Sequence, residues 1–198
     1  MANLNFANKE LNLKIVYYGT GLCGKTTNLR AIYAAVSPER RGKMMSLATE
    51  LDQTLFFDFL PIDLGTAKGW KLRYHLYTVP GQVYYNASRK LVLKNVDGIV
   101  FVVDSQQERL DENIESFHNL EDNLSDYKLS IKEIPIVIQY NKRDLPNIMP
   151  ISDLQLHINK GGYPYFESVA IRGIGVFDTL KSICKKTILK QLDQLPDV

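Results

Sequence analysis

Leu13-Lys14-Ile15-Val16-Tyr17-Tyr18-Gly19-Thr20-Gly21-Leu22-Cys23-Gly24-Lys25-Thr26 is the stretch that decides the fold. Leu13 to Tyr18 is a short, apolar, β-rich run, and beyond Gly24 the residues Leu29, Ile32, Tyr33 and Val36 fall on one helical face. The order is strand, glycine loop, helix, the context in which G-x-x-x-x-G-K-[ST] has a physical meaning. Gly19, Gly21 and Gly24 bend the loop so that successive backbone N–H groups, from Gly19, Thr20, Gly21, Leu22 and Cys23 through Gly24, Lys25, Thr26 and Thr27, aim inward at a helix N-terminus. Such a loop suits phosphate oxygens. Lys25 adds a point charge for the β and γ phosphates, and Thr26 offers a hydroxyl to Mg²⁺. Cys23 is read as a loop position that contributes its N–H, in preference to a redox thiol.

Outward from the loop, Leu55 to Leu60 and Lys71 to Thr78 read as two strands, the second alternating Leu72, Tyr74 and Leu76 with polar residues. Gly65 and Gly69 lie between them with no room for a crossover helix, so this pair is expected to be antiparallel. Beyond Gly81 helices and strands alternate: a helix to about Lys94, a buried strand Gly98 to Val103, and a helix bearing Leu110, Ile114, Phe117, Leu120 and Leu124. There follow a strand Pro135 to Tyr140, a helix near Ser152 to Ile158, a strand Tyr165 to Ala170, and a last helix with Phe177, Leu180, Cys184 and Ile188. The expected product is a three-layer α/β domain over 1–198, with a mostly parallel six-stranded sheet, one antiparallel edge strand and helices on both faces.

Composition narrows the partners. The chain has 198 residues, 24 Lys+Arg against 22 Asp+Glu, a net charge of +2 and 45% apolar residues, the profile of one ordinary globular domain. Both signs are spread along the chain, which argues against nucleic acid as a partner. Cys23 and Cys184 are far apart and lack metal-ligand spacing, so a reduced, cytoplasmic setting is expected. Apolar runs such as 97–104 fall short of the about 20 residues that span a bilayer. The ends carry no secretory, myristoylation or prenylation signature, so no direct membrane anchor is expected, and a monomer is the default.

Asn141-Lys142-Arg143-Asp144 follows directly on a strand, at the edge where open α/β sheets bind ligands. A carboxylate at Asp144 can accept from N1–H and the 2-amino group of guanine, a pattern adenine lacks. Asn141 can reach N7, and the Lys142 stem can cover the base face. Ser168-Val169-Ala170 is a weaker signal, with the Ala170 N–H a donor for guanine O6. The ligand expected is GTP or GDP.

Together these segments resemble the small Ras-like GTPases. Finer stretches resemble one branch, the bacterial MglA family of polarity and gliding-motility GTPases: Ser46-Leu47-Ala48-Thr49-Glu50, Thr54-Leu55-Phe56-Phe57-Asp58-Phe59-Leu60-Pro61 and Thr78-Val79-Pro80-Gly81-Gln82, continuing through Val83-Tyr84-Tyr85-Asn86-Ala87-Ser88-Arg89 to Lys90. The resemblance implies that Gly81 gives its N–H to the γ-phosphate, that Gln82 orients the attacking water, and that Thr54 is the first-switch threonine closing on Mg²⁺, with Thr49 the alternative. Most Ras-like proteins have an Asp-x-x-Gly segment where this chain has Thr78-Val79-Pro80-Gly81, a departure shared with MglA. The Thr78 hydroxyl can hold a metal-bound water without adding charge, and Asp58 can compensate if its strand brings it to the nucleotide.

Members of this family often carry an arginine just before the switch threonine, and here Gln53 stands in its place. An arginine finger is worth about 10³ to 10⁵ in rate. Slow hydrolysis is therefore expected, with a partner's arginine, or Arg40 or Arg41 of this chain, as alternative sources of the charge. The resemblance implies a GTP-hydrolysing switch with an MglB-like roadblock dimer as GTPase-activating partner, polarity or motility effectors, and recruitment to a cell pole. A GTP-binding scaffold with negligible hydrolysis is the competing reading.

Overall fold

The computed structural model describes residues 3–48, 54–82 and 85–192. In chain order the elements are β1 (Asn3–Asn5), β2 (Glu10–Tyr18), α1 (Lys25–Ala35), β3 (Met45–Ala48), β4 (Thr54–Ala67), β5 (Trp70–Thr78) and α2 (Asn86–Leu93). They continue with β6 (Gly98–Asp104), α3 (Leu110–Ser125), β7 (Ile136–Asn141), α4 (Ile151–Ile158), β8 (Tyr165–Glu167) and α5 (Val176–Leu192). One eight-stranded sheet has the order β3-β4-β5-β2-β6-β7-β8, with β1 beside β2. The run β5-β2-β6-β7-β8 is parallel throughout.

The central strands are apolar on both faces because both faces are covered. On β2, Leu11, Leu13, Ile15 and Tyr17 meet Leu29 and Ile32 of α1 and Leu180 and Ile183 of α5. Val16 and Tyr18 turn the other way, into a second core with Val92 of α2, Leu120 and Leu124 of α3 and Leu154 of α4. This is the three-layer α/β arrangement expected from the alternation of strands and helices. Among the described residues no helix is long and apolar enough to cross a membrane.

Two strands were missing from the expected six. β1 pairs antiparallel with β2, and β3 pairs antiparallel with β4, so three strand pairs are antiparallel once β4 and β5 are counted. Both extra strands are short and carry little periodicity of their own; pairing with a longer neighbour makes them strands. Gly65 is not a turn residue. It lies within β4 at φ 94°, in a bulge where Leu64 and Gly65 face Leu72 alone, and the chain reverses instead at Lys68-Gly69 (φ 48° and 79°). The last strand stops at Glu167, and Ala170 opens a short 3₁₀ turn instead of ending a strand.

Candidate functional site

Because β2, β6, β7 and β8 are parallel, the segments that leave their carboxyl ends gather at one edge of the sheet, beside the β2–β6 crossover. The loop after β2 is shaped by crowding. A Cβ on Gly19 (φ 144°) would overlap the Val102 carbonyl, and one on Gly24 (φ 103°) would overlap the Asn141 amide. Gly24 is the N-cap of α1 and makes no side-chain cap bond, so the helix start faces the loop through its backbone. Beneath it a buried polar cluster fixes the helix: Asn28 Nδ2 donates to Gly24 O (2.9 Å) and Gln139 Oε1 (2.8 Å), and Gln139 Nε2 donates to Thr179 Oγ1 (3.0 Å).

Lys25 is 5% exposed. Its Nζ arches over the loop and donates to the carbonyls of Gly19 (2.9 Å) and Thr20 (2.6 Å). Burial pushes its ammonium below the usual lysine range; Cys23 opposes that shift and the positive charge of Arg89 adds to it. Cys23 and Cys184 are both free and buried.

Thr26 Oγ1 donates to Asp58 Oδ2 at 2.5 Å, and Thr78 Oγ1 donates to the same oxygen at 2.7 Å. The other oxygen, Oδ1, accepts from the Ser46 hydroxyl, and the Asp58 N–H donates to Thr78 Oγ1 at 2.8 Å. Asp58 is fully buried. Register puts it there: Phe59 pairs with Tyr77 and Ser46 with Asp58, so the carboxylate on β4 sits beside Thr78 at the end of β5. A hydroxyl that gives its proton to a carboxylate keeps its lone pairs for a cation, and an all-oxygen donor set of this kind fits Mg²⁺.

Gly81 is pressed against the glycine loop. A Cβ there would overlap the Cα and N of Gly21, and Gln82 Cγ lies 4.0 Å from where a Gly21 Cβ would stand. The segment is held from behind by Arg89, which is 1% exposed and donates from Nε to Pro80 O (2.9 Å), from one amino group to Gly81 O, and from the other to Asn119 Oδ1 (2.7 Å). No sequence motif gives Arg89 a role. The signal available was a single arginine on a helix whose buried residues include it beside Val92 and Leu93.

At the end of β7, Asn141 is the joint. Its Nδ2 donates to Cys23 O (2.8 Å), while its Oδ1 accepts from Ser168 Oγ (3.0 Å) and from Ala170 N–H (2.9 Å). A base oxygen at Ala170 would share that N–H with Asn141. Lys142 (φ 64°) reaches across to Asp104 Oδ2 at 2.6 Å, and Asp144 is 3.8 Å from Arg172. Arg109, also unassigned in the sequence, donates to Gly21 O (2.8 Å) and pairs with Glu112 (2.5 Å), whose other oxygen accepts from Thr20 Oγ1 (3.0 Å). The glycine loop and the segments after β6, β7 and β8 are thus tied through side chains. Asn141→Ala is expected to cost about 2 to 3 kcal/mol of stability, because it leaves the buried Ala170 N–H and Cys23 carbonyl short of partners. A denaturant titration measures this.

Thr49, Gln53 and Tyr84 lie outside the described residues. Thr54 opens β4 with its backbone opposite Ala48. Of the two arginines named as sources of charge, Arg41 lies over the Tyr33 ring at 3.7 Å. Tyr33 is 33 − 25 = 8 residues beyond Lys25 on α1, roughly 12 Å along the helix at 1.5 Å per residue. Arg40 ends a short 3₁₀ turn, Pro38–Arg40, and is exposed. Neither belongs to the cluster around Gly21 and Gly81.

A sequence model of the ADP-ribosylation factor family matches residues 1–195. The chain is also 56% identical over 185 residues, 93% of its length and 95% of the relative's, to the mutual gliding-motility protein MglA of Myxococcus xanthus (strain DK1622). A glycine loop on buried strands, a neighbouring Pro-Gly-Gln segment and an Asn-Lys-Arg-Asp strand end thus stand with close sequence likeness over nearly the full chain: it belongs to the Ras-like small GTPases of the ADP-ribosylation factor family, in the MglA branch.

Proposed function

We propose that the chain, as one G domain over 1–198, is a GTP-binding switch that hydrolyses GTP to GDP and phosphate and controls cell polarity or motility through effectors that bind its GTP state. The observation that carries the reading is Asn141. It joins the phosphate loop at Cys23 to the base segment at Ser168 and Ala170, spacing the two recognition elements for one nucleotide. Gly19 to Thr27 take the phosphates, Asp144 and Asn141 the guanine edge, and the Lys142 stem the base face. Mg²⁺, when bound, would supply positive charge to offset that of the phosphate oxygens. Thr26 offers it a hydroxyl oxygen and Asp58 accepts that hydroxyl's proton, with Thr78 in support, so the missing Asp of Asp-x-x-Gly is supplied from the adjacent strand. Thr54 closes from the first switch, and Gln82 holds the attacking water beside Gly81.

The likeness to MglA supports an MglB-like roadblock dimer as GTPase-activating partner and recruitment to a cell pole, while the cysteine spacing supports a cytoplasmic location and a monomer is the default. Gln53 supports slow intrinsic hydrolysis. The carboxylate at Asp58 weakens the competing scaffold reading, since Thr78 does not leave this region without charge.

The test is equilibrium titration with fluorescent GDP and GTP, with ATP as competitor, followed by single-turnover hydrolysis. Guanine nucleotides are expected to bind and ATP not to displace them; displacement by ATP as effective as by GTP overturns the assignment. In Asp144→Asn the two hydrogen bonds from the guanine edge lose their charged acceptor. GTP affinity is expected to fall about 10²-fold, at about 1.5 kcal/mol for each bond, while xanthosine triphosphate gains.

A further inference from the structure

Arg89 is a buried cation whose polar partners among the described residues are all neutral: the carbonyls of Pro80 and Gly81, the amide oxygen of Asn119 and the hydroxyl of Tyr18. Its guanidinium carbon also sits 5.7 Å from the centroid of the Tyr18 ring. A buried guanidinium ordinarily has a carboxylate beside it, because an uncompensated charge away from water is costly. Here the charge is left for something else to balance, and it is directed at the segment that abuts the phosphate loop.

The two carbonyls matter more than their number. Pro80 C=O and Gly81 N–H belong to one peptide unit, and Gly81 C=O and Gln82 N–H to the next. A cation hydrogen-bonded to the oxygen end of a peptide draws electron density that way and strengthens the N–H at the other end as a donor. Arg89 does this to two consecutive units, and it also fixes their orientation against Gly21.

We propose that Arg89 is a positioning residue for the γ-phosphate: through the Pro80–Gly81 and Gly81–Gln82 peptides it aims and polarises two backbone donors, lending that position positive charge that Gln53 does not bring. This rests on the GTP reading and names the residue that tunes it. GDP lacks the γ-phosphate and is the internal control.

The decisive variant is Asn119→Asp. It places a carboxylate on the guanidinium at the contact that is 2.7 Å in the wild type, neutralising the cation while keeping an acceptor for Arg89 and for Tyr18 O–H. It gives up the donor from Asn119 Nδ2 to Asn86 Oδ1. The measurements are the thermal midpoint, the affinities for GDP and a non-hydrolysable GTP analogue, and single-turnover hydrolysis. The expected result is a midpoint at or above that of the wild type, unchanged GDP affinity, and GTP-analogue affinity and hydrolysis each reduced about tenfold, the scale of one weakened charged hydrogen bond. Arg89→Lys, which keeps the charge but cannot bridge three oxygens, is expected to lower the same two quantities and spare GDP.

A GTP-to-GDP affinity ratio within twofold of the wild type in a folded Asn119→Asp protein, or in Arg89→Lys should the former not fold, overturns the proposal and leaves Arg89 a structural clamp. If the folded wild type binds neither GDP nor GTP, the nucleotide reading falls first and the proposal with it.

Discussion

Gln53→Arg is expected to raise single-turnover hydrolysis of Mg²⁺-GTP about 10³-fold, the low end of what an arginine finger contributes. The gain corresponds to about 4 kcal/mol of transition-state stabilisation. It arises because charge builds on the γ-phosphoryl oxygens as the bond to the β-phosphate breaks, and a neutral glutamine amide offsets little of it. The low end is expected because the site already holds Lys25 and, behind Gly81, Arg89. The measurement pairs wild type and variant, each with and without an MglB-like partner. A wild type that stays near its basal rate with the partner, beside a fast variant, marks a long-lived GTP state. A wild type already fast with the partner, and a variant that adds little, places the missing charge on the partner and refutes the expected gain.

Asp58→Ala is the second large effect. The fully buried carboxylate accepts hydrogen bonds from Thr26 at the start of α1, Thr78 at the end of β5 and Ser46 on β3, so its removal strands three hydroxyls. At about 1.5 to 3 kcal/mol for each of the Thr26 and Thr78 bonds to the charged group, with the exposed Ser46 hydroxyl free to turn to water, the loss should be about 3 to 6 kcal/mol. For a domain of this size that is a fall of about 10 °C in thermal midpoint. Asp58→Asn keeps the shape and one acceptor, so it should melt closer to the wild type yet bind Mg²⁺ with GDP as poorly as Asp58→Ala does. The Mg²⁺ dependence of nucleotide release measures this. Unchanged Mg²⁺ dependence in a folded Asp58→Asn protein would confine Asp58 to a structural role.

Much of the fold was legible because it depends on local patterns. Apolar runs of strand length with helix-length segments between them specify a covered parallel sheet, and the helix positions read from Leu29, Leu120, Leu124 and Leu180 are the ones buried. β1 and β3 were not legible, since three or four residues show no period and become strands only by borrowing hydrogen bonds from β2 and β4. By sequence alone Gly65 and Gly69 are equivalent turn residues. A bulge and a reversal both demand positive φ, and which glycine serves which depends on the register with β5.

The site divides along the same line. The sequence by itself marked out the glycine loop, the Asn-Lys-Arg-Asp segment and the Pro-Gly-Gln step, because each is contiguous and is recognised from residue type and spacing. It determined too that Thr78 and Gln53 depart from the commonest patterns. Only the tertiary structure decided what stands beside those departures. Asp58 meets Thr26 across 32 residues of chain, Arg109 meets Gly21 across 88, and Arg89 takes its third acceptor from Asn119 on another helix. Such contacts are set by strand register and helix packing, whose energies are sums over many distant apolar contacts, so no short stretch of residues encodes them.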